Sequence, residues 1–144
     1  MEVSYHAPHA PFFYGVLRED VARWDFLEGM GRGFPARVRG LLYAIPSGSK
    51  WYPALLPVPT RDAVPVHGAV HEAGAVDLAA IDAFEGPDYE RRALTIKGPD
   101  GAMTAELYVW ISPLPAGAGR IAHGDFARWL KETGNTPLCE VGDR

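Results

Sequence analysis

Residues that interrupt regular structure are spread along the whole chain. Thirteen prolines and sixteen glycines leave only short stretches between breaks. Proline removes a backbone donor and fixes φ, and glycine weakens helix interiors. Such a chain is suited to many short strands joined by turns, not to a helical bundle. Its 144 residues suffice for one domain with a real core. Residues 11–134 are expected to form that single domain, with 1–10 and 135–144 as loose termini.

Taken in order, residues 11–17 (Pro-Phe-Phe-Tyr-Gly-Val-Leu) read as an aromatic and branched strand, with Gly15 where backbone can approach a ligand closely. Residues 18–30 place Val21, Trp24 and Leu27 at helical spacing. The glycines that follow, Gly29, Gly31 and Gly33, come after a helix and not after a strand, which rejects a dinucleotide loop. Residues 36–45 alternate as a strand, with Arg37 and Arg39 on one face. Residues 51–56 form an irregular apolar segment, and 64–73 the next strand. Residues 89–97 and 102–112 are two strands joined by the turn Gly98-Pro99-Asp100-Gly101. A last helix spans about 124–133. The expected class is α+β: a small mixed β-barrel or curled sheet flanked by a few helices.

Between the strands at 64–73 and 89–97 lies a short helical pattern. Asp77 is the candidate N-cap, Leu78, Ile81 and Phe84 form the apolar stripe, and Gly86-Pro87 ends it. At 100° per residue Glu85 falls between Leu78 and Ile81, on the inward side, with Asp82 on the flank. Burial and the negative end of the helix dipole both disfavour a charged carboxylate there. Both are expected to push the Glu85 pKa upward, towards the range of a general base. The alternative is an unwound last turn and a solvated Glu85.

Other chemistries find little support. A net charge of −4, without clustered arginines, gives no electrostatic reason to expect nucleic acid. Cys139 is the one cysteine, which excludes an intrachain disulfide or a cysteine zinc site. No apolar run reaches a membrane span, and residues 1–6 lack a signal-peptide pattern, so a cytoplasmic protein is expected. His67 and His71, four residues apart on a strand, are separated by roughly 13 Å, too far for one ion. Ser47 and Ser49 sit in a turn without a nucleophile elbow. The turn at Tyr14-Gly15 can aim successive N–H groups at a cavity as an anion nest. Tyr89 and Arg91 project to one face of the strand after Glu85, either to hold a carboxylate or as a surface pair.

The ordered set of these pieces resembles the γ-glutamylcyclotransferase-like superfamily, in its AIG2-like and γ-glutamylamine cyclotransferase branch. The matching elements are 13–17 (Phe-Tyr-Gly-Val-Leu), 36–43, 52–55, 66–70, 78–86 with Tyr89 and Arg91, and Ile121 with Gly124-Asp125-Phe126. The resemblance implies a closed or nearly closed small barrel with the cavity at one mouth. It implies that the backbone of Tyr14, Gly15, Val16 and Leu17 binds the substrate's α-carboxylate end, and that Glu85 is the catalytic residue. It further implies release of 5-oxoproline from a small γ-glutamyl amine or peptide, with no metal or organic cofactor. Val16 stands where the family usually has threonine, which leaves the backbone donors intact. His123 and Phe126 depart from the residues usual beside the glycine-aspartate pair. Removal of a γ-glutamyl protecting group, or binding without catalysis, are the other readings of such a site.

Overall fold

The computed structural model describes residues 10–15, 33–58, 60–72 and 78–138. Within them the chain forms β1 (Ala10–Phe13), β2 (Phe34–Ser47), β3 (Lys50–Leu56), β4 (Val64–Val70) and α1 (Leu78–Glu85). There follow β5 (Tyr89–Gly98), β6 (Gly101–Trp110), β7 (Gly119–Arg120), α2 (Phe126–Thr133) and β8 (Thr136–Pro137). The helix expected at 18–30, Val16, Leu17, the N-cap Asp77 and Cys139 lie outside the described residues.

The class is α+β, as the turn spacing predicted. One strongly curled sheet runs β4-β1-β6-β5-β2-β3-β8, and β4 also pairs with β2. The strands thus come round on themselves, but β2 and β5 meet only at the pair Arg37↔Lys97. The result is a curled sheet and not the fully laddered barrel among the expectations. β1 makes its turn in the ring by pairing antiparallel with β4 at Phe12↔Val70 and parallel with β6 at Ala10↔Ala105.

β2 shows why the sheet curls around a core. Ala36, Val38, Leu42 and Ala44 are buried along one face while Arg37 and Arg39 stay exposed on the other, the period-2 signature of a half-buried strand. Leu55, Val66, Leu107 and Val109 close the same interior without measurable exposure. α2 packs over it through Phe126. Its N-cap Asp125 accepts from the Arg128 N–H at 3.2 Å, and Gly134 ends the helix at φ 72°.

Two segments are more ordered than their composition suggested. β3 ladders with β2 from Leu41↔Leu56 to Ser47↔Lys50 despite Pro53. Proline is tolerated because, among the described residues, β3 has a partner on its other side only at Lys50 and Trp51. Of the tail, expected to be loose from residue 135, the described part (135–138) is docked through β8. Leu138 is fully buried and its N–H donates to the Trp51 carbonyl at 2.8 Å. That apolar side chain anchors what backbone composition alone left unattached.

Candidate functional site

α1 has only eight residues, too few to be stable in isolation. It is held by Ile81 and Phe84, both buried, at about 1.5–3 kcal/mol for each such side chain. The helix persists through Glu85. Gly86 then takes φ 83°, and its N–H still bonds the Asp82 carbonyl at 3.2 Å. Glu85 is therefore in the last turn and turned inward, 8% exposed. The inward-facing reading from helical spacing holds, and the unwound, solvated alternative does not.

The β5–β6 hairpin supplies the floor under the helix. Its two-residue turn pairs Gly98 with Gly101, and the ladder then sets Arg91 opposite Tyr108 and Tyr89 opposite Trp110. Arg91 and Tyr108 thus share a face and converge on one carboxylate. The Tyr108 hydroxyl donates to Asp82 Oδ1 at 2.5 Å, and Arg91 Nε meets the same oxygen at 3.0 Å. Arg91 Nη1 also reaches Glu106 Oε1 at 3.3 Å. Asp82, one turn before Glu85, is consequently fixed to the sheet from two sides. Burial, and then the neighbouring Asp82 and Glu85 carboxylates, raise the Tyr108 pKa above its ordinary value. Tyr108 remains a protonated donor with the Glu85 side chain close by.

Tyr14 and Gly15 close against this unit from β1. The Tyr14 hydroxyl donates to the Tyr108 carbonyl at 2.6 Å. Gly15 lies against the Pro53 ring so closely that a Cβ would stand 2.8 Å from Pro53 Cδ and nearer still to Cγ. The Tyr89 hydroxyl donates to the Pro53 carbonyl, tying β5 to β3. Tyr52, Tyr89 and Trp110 form an aromatic cluster, with Tyr89 and Trp110 edge-to-face at 5.2 Å.

The structure therefore sets Tyr89 and Arg91 on one face of β5 and Glu85 near Tyr108 of β6, with Tyr14 bonded to the Tyr108 backbone and Gly15 packed on Pro53 of β3. The two alternatives left open for Tyr89 and Arg91 resolve separately for each residue. Tyr89 is buried and braces β3, while Arg91 carries ion pairs to Asp82 and Glu106. Sequence reasoning did not single out Tyr108. The signal was present, because counting back from the turn at 98–101 puts Tyr108 opposite Arg91. Among the described residues no helix is long and apolar enough to cross a membrane.

The chain is thus a curled α+β sheet with a buried carboxylate ending a short helix. Residues 11–129 match the family Gamma-glutamyl cyclotransferase, AIG2-like, and the chain belongs to that family. Among solved structures it is similar to YkqA from Bacillus subtilis (18% identity, TM-score 0.60, covering 90% of this chain and 44% of that one). It is also similar to the uncharacterized protein PH0828 from Pyrococcus horikoshii (20% identity, TM-score 0.59, 88% and 96% coverage). A mouse AIG2-like protein shares the fold at 24% identity and TM-score 0.50, with 76% and 86% coverage. The chain thus spans less than half of YkqA but nearly all of PH0828. No curated protein matches it in sequence.

Proposed function

We propose that this protein cyclises a γ-glutamyl amine or γ-glutamyl peptide, releasing 5-oxoproline and an amine. The substrate's α-amine attacks its own γ-carbonyl carbon, a five-membered lactam closes, and the γ-amide C–N bond breaks. At neutral pH the α-amine is an ammonium and must first lose a proton. Glu85 takes that proton and delivers it to the leaving nitrogen; the attacking nitrogen gives up a second proton as the lactam closes, and this also passes to the departing amine, which leaves as an ammonium while the carboxylate is regenerated. Acid–base help of this kind contributes about 10²–10⁴-fold.

The observation that carries this reading is the burial of Glu85 in the last turn of α1, beside the Tyr108 hydroxyl. The reaction is intramolecular, so the protein needs chiefly to hold the substrate folded for attack, which removes part of an entropic barrier. Backbone N–H groups from Gly15 onward through Val16 and Leu17 anchor the substrate carboxylate and the developing oxyanion. Tyr89 is assigned a part in holding the substrate, with its hydroxyl tied to the Pro53 carbonyl. Arg91 acts through Asp82, keeping α1 seated so that Glu85 stays in register with the substrate. Membership of the cyclotransferase family supports the reaction class.

The test is 5-oxoproline release from a panel of γ-glutamyl amines and dipeptides by wild type and Glu85→Gln. Gln is close to isosteric, so the variant is expected to fold while turnover falls by at least about 10²-fold. Wild-type turnover in the pure variant would remove Glu85 as the base and make Asp82 the next candidate.

A further inference from the structure

About six residues along β5 from Arg91, at Lys97, the sheet carries a second concentration of charge. At ~3.3 Å per residue this is roughly 20 Å from the Glu85 end. Arg37 on β2 is paired with His67 on β4 and with Lys97 on β5. Directly paired residues point to one face, so three basic side chains stand abreast across three strands. Arg39 follows on the same face of β2. Like charges placed opposite one another across strands are destabilising. Yet among the described residues no carboxylate forms an ion pair with Arg37, Arg39 or Lys97.

The row opens into a cavity of about 580 Å³ walled by Arg37, His67, Lys97, Gly68, Gly98 and Asp125. Among the described residues Asp125 is the one acid in that wall, and its carboxylate caps the N-terminus of α2. Arg37 and Lys97, with Arg39 alongside, leave an excess of positive charge near two units after Asp125 is counted. A phosphate monoester carries about −1.5 to −2 at neutral pH and three acceptor oxygens. Arginine meets such oxygens with a planar fork and lysine as a point charge. The volume is many times the ~30 Å³ share of one water and falls in the range of small-molecule pockets, which leaves room for an organic part.

We propose that the cavity between β2, β4 and β5 is a binding site for a phosphate monoester, separate from the Glu85 site. The phosphate group neutralises the Arg37–Lys97 repulsion, and the body of the ligand lies along Gly68 and Gly98.

Thermal unfolding at constant ionic strength tests this, with glycerol phosphate and inorganic phosphate as probes and sodium chloride as control. Glycerol phosphate at ten times its Kd is expected to raise Tm by about 4 °C, and sodium chloride to leave it unchanged. Arg37→Gln and Lys97→Gln are expected to weaken glycerol phosphate at least tenfold. Without ligand they should melt no lower than wild type, because repulsion is relieved. Lys97→Arg should keep binding. Amide shifts on titration should centre on Gly68 and Gly98. A Tm rise matched by sodium chloride, or preserved in both Gln variants, overturns the site. Shifts centred instead on Gly15 and Glu85 also overturn it. Equal affinity for inorganic phosphate overturns the monoester assignment.

Discussion

Adding one methyl group at Gly15 tests whether contact with β3 fixes the Tyr14-Gly15 turn. Gly15 does not have a positive φ, so alanine brings no backbone strain and the effect is steric. The new Cβ would stand 2.8 Å from Pro53 Cδ and nearer to Cγ, where ordinary contact begins at 3.4 Å. Either the turn or the Pro53 ring must retreat by about 1 Å. Pro53 is buried and laddered to Ala44, so the turn is the part expected to move. Overpacking of this size costs about 1–3 kcal/mol, or roughly 3–10 °C in Tm for a chain of this length. A displacement of ~1 Å at a positioning element costs about 10²-fold in turnover. The assay is a double-mutant cycle, with Gly15→Ala measured in wild type and in Pro53→Ala by urea unfolding and 5-oxoproline release. Without the Pro53 ring the alanine should cost no more than about 0.5 kcal/mol. An equal cost in both backgrounds would refute the contact as the cause.

Tyr108→Phe removes the hydroxyl bonded to Asp82. Hydrogen bonds to charged groups are worth ~1.5–3 kcal/mol, but Asp82 is 42% exposed and keeps Arg91, so a loss of about 1 kcal/mol is expected in urea unfolding. The same variant bears on pH. Unfolded tyrosine ionises near 10.0 while folded Tyr108 ionises higher, so above pH 10 the folded state holds a proton the unfolded state has lost. Stability from this group is intact below pH 10 and falls above it, and Tyr108→Phe should flatten that fall in a pH series of thermal melts. At the acid end, bonds from Arg128 and then His123 hold the Glu132 pKa below its ordinary 4.5. Its contribution is present above pH 4.5 and lost as pH drops, so Glu132→Gln should have a shallower acid limb than wild type.

What could be read from the sequence divides by the range of the interaction. α1 was legible because its stripe, its glycine stop and the inward Glu85 all follow from 3.6-residue periodicity and one αL residue. The β5–β6 hairpin was legible because Pro99 and Asp100 sit between glycines that permit the tight turn. The Tyr108–Asp82–Arg91 convergence needed two inferences at once, the hairpin register and the docking of α1 on that face. Only the first is local. β1 illustrates the remaining gap: its strand character was evident from Phe12 and Phe13, but a parallel partner at Ala105 is nearly a hundred residues away. β8 has two residues, one of them proline, and its pairing follows from Leu138 finding the core, which no residue pattern near it announces.

The docking of β8 also concerns how the molecule meets its own copies. A long strand with open N–H and C=O groups invites another chain to add to it, the first step of many aggregation routes. β3 would present such an edge. Its end at Lys50 and Trp51 is instead taken up by Thr136 and Pro137, and Pro53 offers no N–H beyond that. Residues 136–138 thus act as a cover strip, and shortening the chain before Thr136 would strip β3 of it and leave an adhesive margin.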